Sequence, residues 1–141
     1  MITRDDDEVL WLEQTAAKVA NMNLGLSESV DNGLVEFLME MSRRERSALK
    51  SHLLNLAMHV LKFMYQPEYP HKRSWEISIR NSRREIETIL DVSPSLKGYL
   101  EVLLADPKVA KAAAEDAETE IGRPVAYALP SRHELFEKEW R

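Results

Sequence analysis

The chain has 141 residues, 44% hydrophobic and 30% charged, with 4 Gly, 6 Pro and no Cys. That length suits a single domain over residues 1–141 with one hydrophobic core, and so few Gly and Pro argue against a turn-rich β architecture. The lack of Cys excludes disulfide staples, thiolate nucleophiles and Cys-ligated zinc or iron, and a net charge of −5 disfavours nucleic acid as a partner.

The charge is unevenly placed. Residues 1–42 carry 2 basic and 9 acidic side chains, residues 43–84 carry 10 and 3, and residues 85–141 carry 7 and 12. The basic segment from Arg43 to Arg84 is where a weak nucleic-acid contact would be made. Helices of opposite charge packed side by side within one bundle is the preferred reading. The N-terminus is acidic where a secretory signal would be basic, and no apolar run approaches about 18 residues, so a cytoplasmic protein without membrane association is expected.

Thr3 with Asp5, Asp6 and Asp7 marks a helix start, because side-chain oxygens cap free N–H groups and carboxylates suit the positive end of the helix dipole. The first helix runs to Met22 with Val9, Leu12, Ala16 and Val19 on one face. Residues 23–32 read as a loop. A short second helix follows, with Val30, Leu34, Phe37, Leu38 and Met41 on a common side, and Ser42-Arg43-Arg44-Glu45 reads as a capping box opening a third. There Leu49, Leu53, Leu56, Val60 and Phe63 keep helical spacing over more than four turns, the pattern of a long central helix.

Pro67 and Pro70 end that helix and place a loop from Gln66 to Arg73. Ser74 is the expected cap of the next, whose Trp75, Ile79, Ser82, Ile86 and Ile89 repeat the spacing to Val92. Ser93 with Pro94 restarts the chain as N-cap and first helical residue, followed by Leu96, Tyr99, Leu100, Leu103 and Leu104. At Asp106-Pro107 the pattern fits either a new N-cap or a kink in one long helix. Ala-rich sequence to Ile121 continues as helix, Gly122 and Pro124 stop it, and Ser131 to Glu134 opens a short last helix reaching Trp140. The expected fold is all-α, a helical bundle of five to six helices.

Several of these runs, in this order, resemble a bacterial family known only as domain of unknown function family twenty-nine. The matching pieces are Trp11-Leu12-Glu13-Gln14, Leu34-Val35-Glu36, the run from Leu61 to Glu68, Ser74-Trp75, Ser93-Pro94-Ser95-Leu96, and the helix after Pro130. The chain departs from the pattern at Phe63, Met64 and Phe37, the last standing where such proteins often carry a second carboxylate. The resemblance implies an all-α fold and supplies no catalytic residues.

Read for chemistry, the sequence offers four His and many carboxylates. His52 and His59 are seven residues apart, about 10 Å along a helix axis, whereas a metal pair on one helix stands three or four apart. Glu36 and Glu40 have that spacing but fall opposite the Leu34, Leu38 and Met41 face. No metal and no cofactor is therefore expected. His59, Lys62, Tyr65 and Trp75 flank the Pro67–Pro70 loop as a candidate pocket, with a lid over the core as the plainer alternative. Arg73, Arg80 and Arg84 lie in a narrow arc opposite the Trp75 face, a candidate phosphate-contact row. Glu76 before Arg80 and Glu87 after Arg83 stand at the spacing of surface ion pairs worth a few tenths of a kcal/mol. No nucleophile elbow or glycine-rich phosphate loop is present. The function expected is thus that of a non-enzymatic interaction protein, a homodimer formed through Leu54, Met58 and Leu61 on the second apolar side of the central helix. A metal- or phosphate-handling bundle enzyme is the alternative.

Overall fold

The computed structural model describes the backbone of residues 2–22 and 28–141 and the side chains of residues 2–20 and 34–141. Among these residues the chain forms six helices and no strand: α1 (Glu8–Met22), α2 (Glu28–Tyr65), α3 (Arg73–Val92), α4 (Leu96–Ala105), α5 (Pro107–Ile121) and α6 (Arg132–Phe136). An all-α helical bundle is what the apolar stripes require. The expected loop at 23–32 lies outside the described residues as far as 27; from residue 28 the backbone is helical.

The main departure from expectation is at Ser42, where one helix was expected to end and another to begin. Instead α2 runs unbroken for 38 residues, about 57 Å. No Pro interrupts it, and Ser42 caps nothing. Its fully buried hydroxyl donates to Glu13 Oε1 of α1 at 2.9 Å and accepts from Arg46 Nη1 at 2.7 Å, while Arg46 also pairs with Glu13. Tertiary partners thus take the oxygen that would have capped a new helix.

Capping settles the other boundaries. Asp7 caps α1 by accepting from the Leu10 N–H at 2.8 Å. Lys72 rather than Ser74 stands at the start of α3, without a side-chain cap. Ser93 does not open α4, which begins at Leu96; its hydroxyl accepts from the Val9 N–H at 2.9 Å, tying the α3–α4 turn to α1. Asp106 is extended and accepts from the Lys108 N–H at 2.9 Å with Pro107 first in α5, so Asp106-Pro107 separates two helices. Gly122 closes α5 with φ 68°, a left-handed conformation that favours glycine. Ser131 and Glu134 form the expected capping box, but α6 ends at Phe136, short of Trp140.

The core is centred on α2. Leu49, Leu53, Leu56, Val60 and Phe63 are buried together with the α3 stripe Trp75, Ile79, Ile86 and Ile89, with Leu96, Leu100 and Leu103 of α4, and with Val109, Ala113, Ala114 and Ala117 of α5. Four small side chains let α5 lie close along α2. Of the residues expected on the second apolar side of α2, Leu61 is fully buried and Leu54 and Met58 are half-buried against the same core. A separate cluster of Leu12, Ala16 and Leu38, with Trp11, Val19, Val35, Met39 and Met41 around it, joins α1 to the N-terminal half of α2. Leu34 and Phe37 escape both clusters, 45% and 58% exposed.

Candidate functional site

The aromatic corner expected around the Pro67–Pro70 loop assembles as a closed cluster. Phe63 and Trp75 meet edge to face at 5.5 Å, Tyr69 stacks on Trp75 at 4.9 Å, and Trp140 of the C-terminal segment lies 5.7 Å from Phe63. His59, Lys62 and Trp75 are all buried there. Tyr65 leaves the group: its hydroxyl accepts from the Ala126 N–H at 3.3 Å and its carbonyl from Arg123 at 2.9 Å, fastening the strap after α5. The Lys62 ammonium lies 5.6 Å from the Trp75 ring centre and pairs with Glu120 of α5. Burial lowers its pKa below the ordinary lysine value.

His59 Nδ1 lies 2.8 Å from the Asn55 carbonyl, which can only accept, so Nδ1 carries the hydrogen. Asn55 in turn donates to Ser82 of α3 at 2.6 Å. Desolvation is the main cause holding the His59 pKa below its ordinary value, against the Asn55 contact and reinforced by Lys62. A histidine kept neutral by the fold contributes stability that is fully present above the unfolded pKa of about 6.5 and is lost as pH falls toward the depressed folded value. The melting temperature is therefore expected to fall between pH 7 and pH 5, and less steeply in His59→Gln; equal slopes by differential scanning calorimetry would contradict this assignment.

The candidate phosphate row divides. Arg80 and Arg84 line an open groove of about 540 Å³ on the outer face of α3, with Glu76, Ile79, Arg83 and Glu87 on the helix and Glu139, Trp140 and Arg141 opposite. Arg73 does not reach it. The expected surface pairs of Glu76 with Arg80 and of Arg83 with Glu87 do not form among the described residues. Arg83 turns instead to the C-terminal backbone, donating to the carbonyls of Leu135 at 2.7 Å, Glu134 at 3.1 Å and Lys138 at 2.8 Å. The Trp140 indole N–H donates to the Glu134 carbonyl at 2.8 Å and fixes the ring beside α3.

Sequence reading missed Arg83, Trp140 and Arg141 as groove residues. Arg83 was assigned to an in-helix pair because spacing within α3 contains no trace of a chain arriving fifty residues later. A second open groove, about 380 Å³, adjoins the first and shares Arg83 and Glu87 with it. Among the described residues no three His, Asp or Glu side chains converge as metal ligands would. No described helix is long and apolar enough to cross a membrane.

These features define an all-α bundle with an aromatic corner and, among the described residues, two adjoining charged surface grooves. The chain belongs to the family described as Domain of unknown function DUF29, whose family model matches residues 4–136. In fold it is similar to an alpha-helical protein of unknown function from Rhodospirillum rubrum, known from a crystal structure, at 19% identity and a TM-score of 0.76, covering 97% of this chain and 91% of that one. No curated protein matches the chain. Neither the family nor the structural relative carries an assigned activity.

Proposed function

We propose that the chain is a non-enzymatic interaction protein of the bacterial cytoplasm, a single helical domain that forms a two-fold dimer through the N-terminal half of α2. The observation that carries this is the exposure of two large apolar side chains, Leu34 and Phe37, one turn apart in the N-terminal half of α2. Phe37 is eighteen residues, five turns, before Asn55, so the two share a helix face. At Asn55 that face is covered by Ser82 of α3. Helix α3 ends at Val92 and the chain turns away toward α1, so among the described residues Leu34 and Phe37 continue that face exposed, with half-buried Met41 at its inner edge against the α1 cluster. Exposed apolar side chains grouped in this way favour association.

A second copy fits this face by charge. Residues 34–42 carry Glu36 and Glu40, whereas residues 43–50 carry Arg43, Arg44, Arg46 and Lys50 against Glu45 alone. An antiparallel, self-complementary pairing centred near Met41 sets the acidic half of each helix against the basic half of the other.

The chain has no Cys, which makes a single introduced thiol diagnostic. Met41→Cys is expected to oxidise to a disulfide-linked dimer, and adding Phe37→Glu to suppress it. Lys97→Cys, away from α2, is expected to remain monomeric. Equal cross-linking at positions 41 and 97 would defeat the α2 pairing.

A further inference from the structure

We propose that the groove between the outer face of α3 and the C-terminal segment binds a small phosphate monoester whose remaining groups are hydroxyls or amines. This rests on observations independent of the exposed α2 face.

Arg80 and Arg84 stand one turn apart, both exposed and both lining the groove. Neither has an ion pair among the described residues, whereas Arg43, Arg44, Arg46, Arg123, Arg132 and Arg141 each hold a carboxylate. Two neighbouring guanidinium forks offer several N–H donors to one tetrahedral dianion, the geometry for which arginine is suited. Glu76 lies one turn before Arg80 and Glu87 one turn after Arg83; both line the groove and neither is ion-paired among the described residues. Along α3 the charged groove residues run Glu76, Arg80, Arg83, Arg84, Glu87, and since Arg83 is committed to the C-terminal carbonyls the remaining groups read carboxylate, guanidinium, guanidinium, carboxylate.

That order selects the ligand. The central cations take the phosphate, and the outer carboxylates accept hydrogen bonds from hydroxyl or amino groups beside it. A nucleic-acid backbone running along the helix would carry its next phosphates toward Glu76 and Glu87, so the flanking charges exclude a polymer. The opposite wall is preformed, because the three bonds from Arg83 hold the C-terminal segment against α3 and the indole bond of Trp140 to the Glu134 carbonyl ties that segment to itself. Buried Ile79 and half-buried Trp140 supply an apolar base, and the volume of about 540 Å³ is that of a small-molecule site.

Calorimetric titration of the intact chain with glycerol 3-phosphate, phosphoethanolamine, inorganic phosphate and glycerol tests the site. At least one ester is expected to bind more tightly than inorganic phosphate, and glycerol not at all. The Arg80→Gln, Arg84→Gln double variant is expected to bind the better ester about tenfold more weakly. Arg73→Gln, on the same helix outside the groove, should bind as the parent does. Glu76→Gln, Glu87→Gln should bring the ester closer to inorganic phosphate while leaving the latter unweakened. Both arginine variants replace exposed side chains, and circular dichroism confirms their folding. Saturable binding by neither ester, equal loss in Arg73→Gln, or tighter binding of a single-stranded oligonucleotide would each overturn the proposal.

Discussion

Leu56→Asp is expected to leave the chain unfolded. Leu56 is fully buried in the C-terminal half of α2, inside the cluster that includes Leu53, Val60, Ile79 and Ile86. A carboxylate there would lose its water without gaining a partner, and the effective penalty for such an ion is several kcal/mol even after relaxation. The cavity left by the missing aliphatic atoms adds to that cost. The sum is of the order of the whole stability of an ordinary domain, about 5–15 kcal/mol. Far-ultraviolet circular dichroism should therefore show loss of most helical signal and of the cooperative melt. A variant melting where the parent does would contradict the placement of α2 in the core.

The second large effect is expected at Asp7. Its buried carboxylate accepts from the Leu10 N–H at 2.8 Å at the start of α1, and from both the Ser95 hydroxyl at 2.9 Å and the Ser95 N–H at the start of α4. One side chain thus caps α1 and anchors the N-cap residue of α4, 88 residues further along the chain. Asp7→Ala removes an acceptor from three donors, and charge-assisted capping bonds of this kind make the expected loss about 3 kcal/mol. That corresponds to a melting temperature lower by roughly 10 °C for a domain of this size. Asp7→Asn keeps one acceptor oxygen and should cost about half as much. Hydrogen exchange distinguishes the double cap from a single one: amides at the starts of α1 and α4 should both exchange faster in Asp7→Ala. Acceleration confined to α1 would contradict the bridge.

The fold was legible wherever local periodicity alone decides structure. The stripe Trp75, Ile79, Ser82, Ile86 and Ile89 is buried residue for residue, and Asp106, Pro107, Gly122 and the Ser131–Glu134 box act as their chemistry suggests. Expectation failed where a local signal was taken over by a distant partner. Ser42 looked like a cap because Glu45 follows three residues later, but Glu13 and Arg46 hold its hydroxyl. Ser93 looked like a cap because Pro94 follows, but its oxygen serves the Val9 amide.

The site was less legible, for the same reason. The row of Arg80 and Arg84 could be read from the wheel of α3, but the groove exists only because Arg83 binds three carbonyls between residues 134 and 138. Backbone carbonyls leave no sequence signature. His59, Lys62 and Trp75 do come together, as their spacing around the loop suggested, but Tyr69 and Trp140 close over the aromatic end of that cluster. The surface expected for self-association was only partly legible, because Leu61 is buried and Leu54 and Met58 are half-buried against the main core, while the exposed Leu34 and Phe37 lie nearly five turns and more upstream.

Self-association through the upstream half of α2 is the central claim, and the solution mass of the unmodified chain tests it most directly. Multi-angle light scattering at micromolar concentration should give a mass near twice 16.3 kDa for the parent and near 16.3 kDa for Phe37→Glu. A parent mass of 16.3 kDa, unchanged as concentration rises, would contradict it.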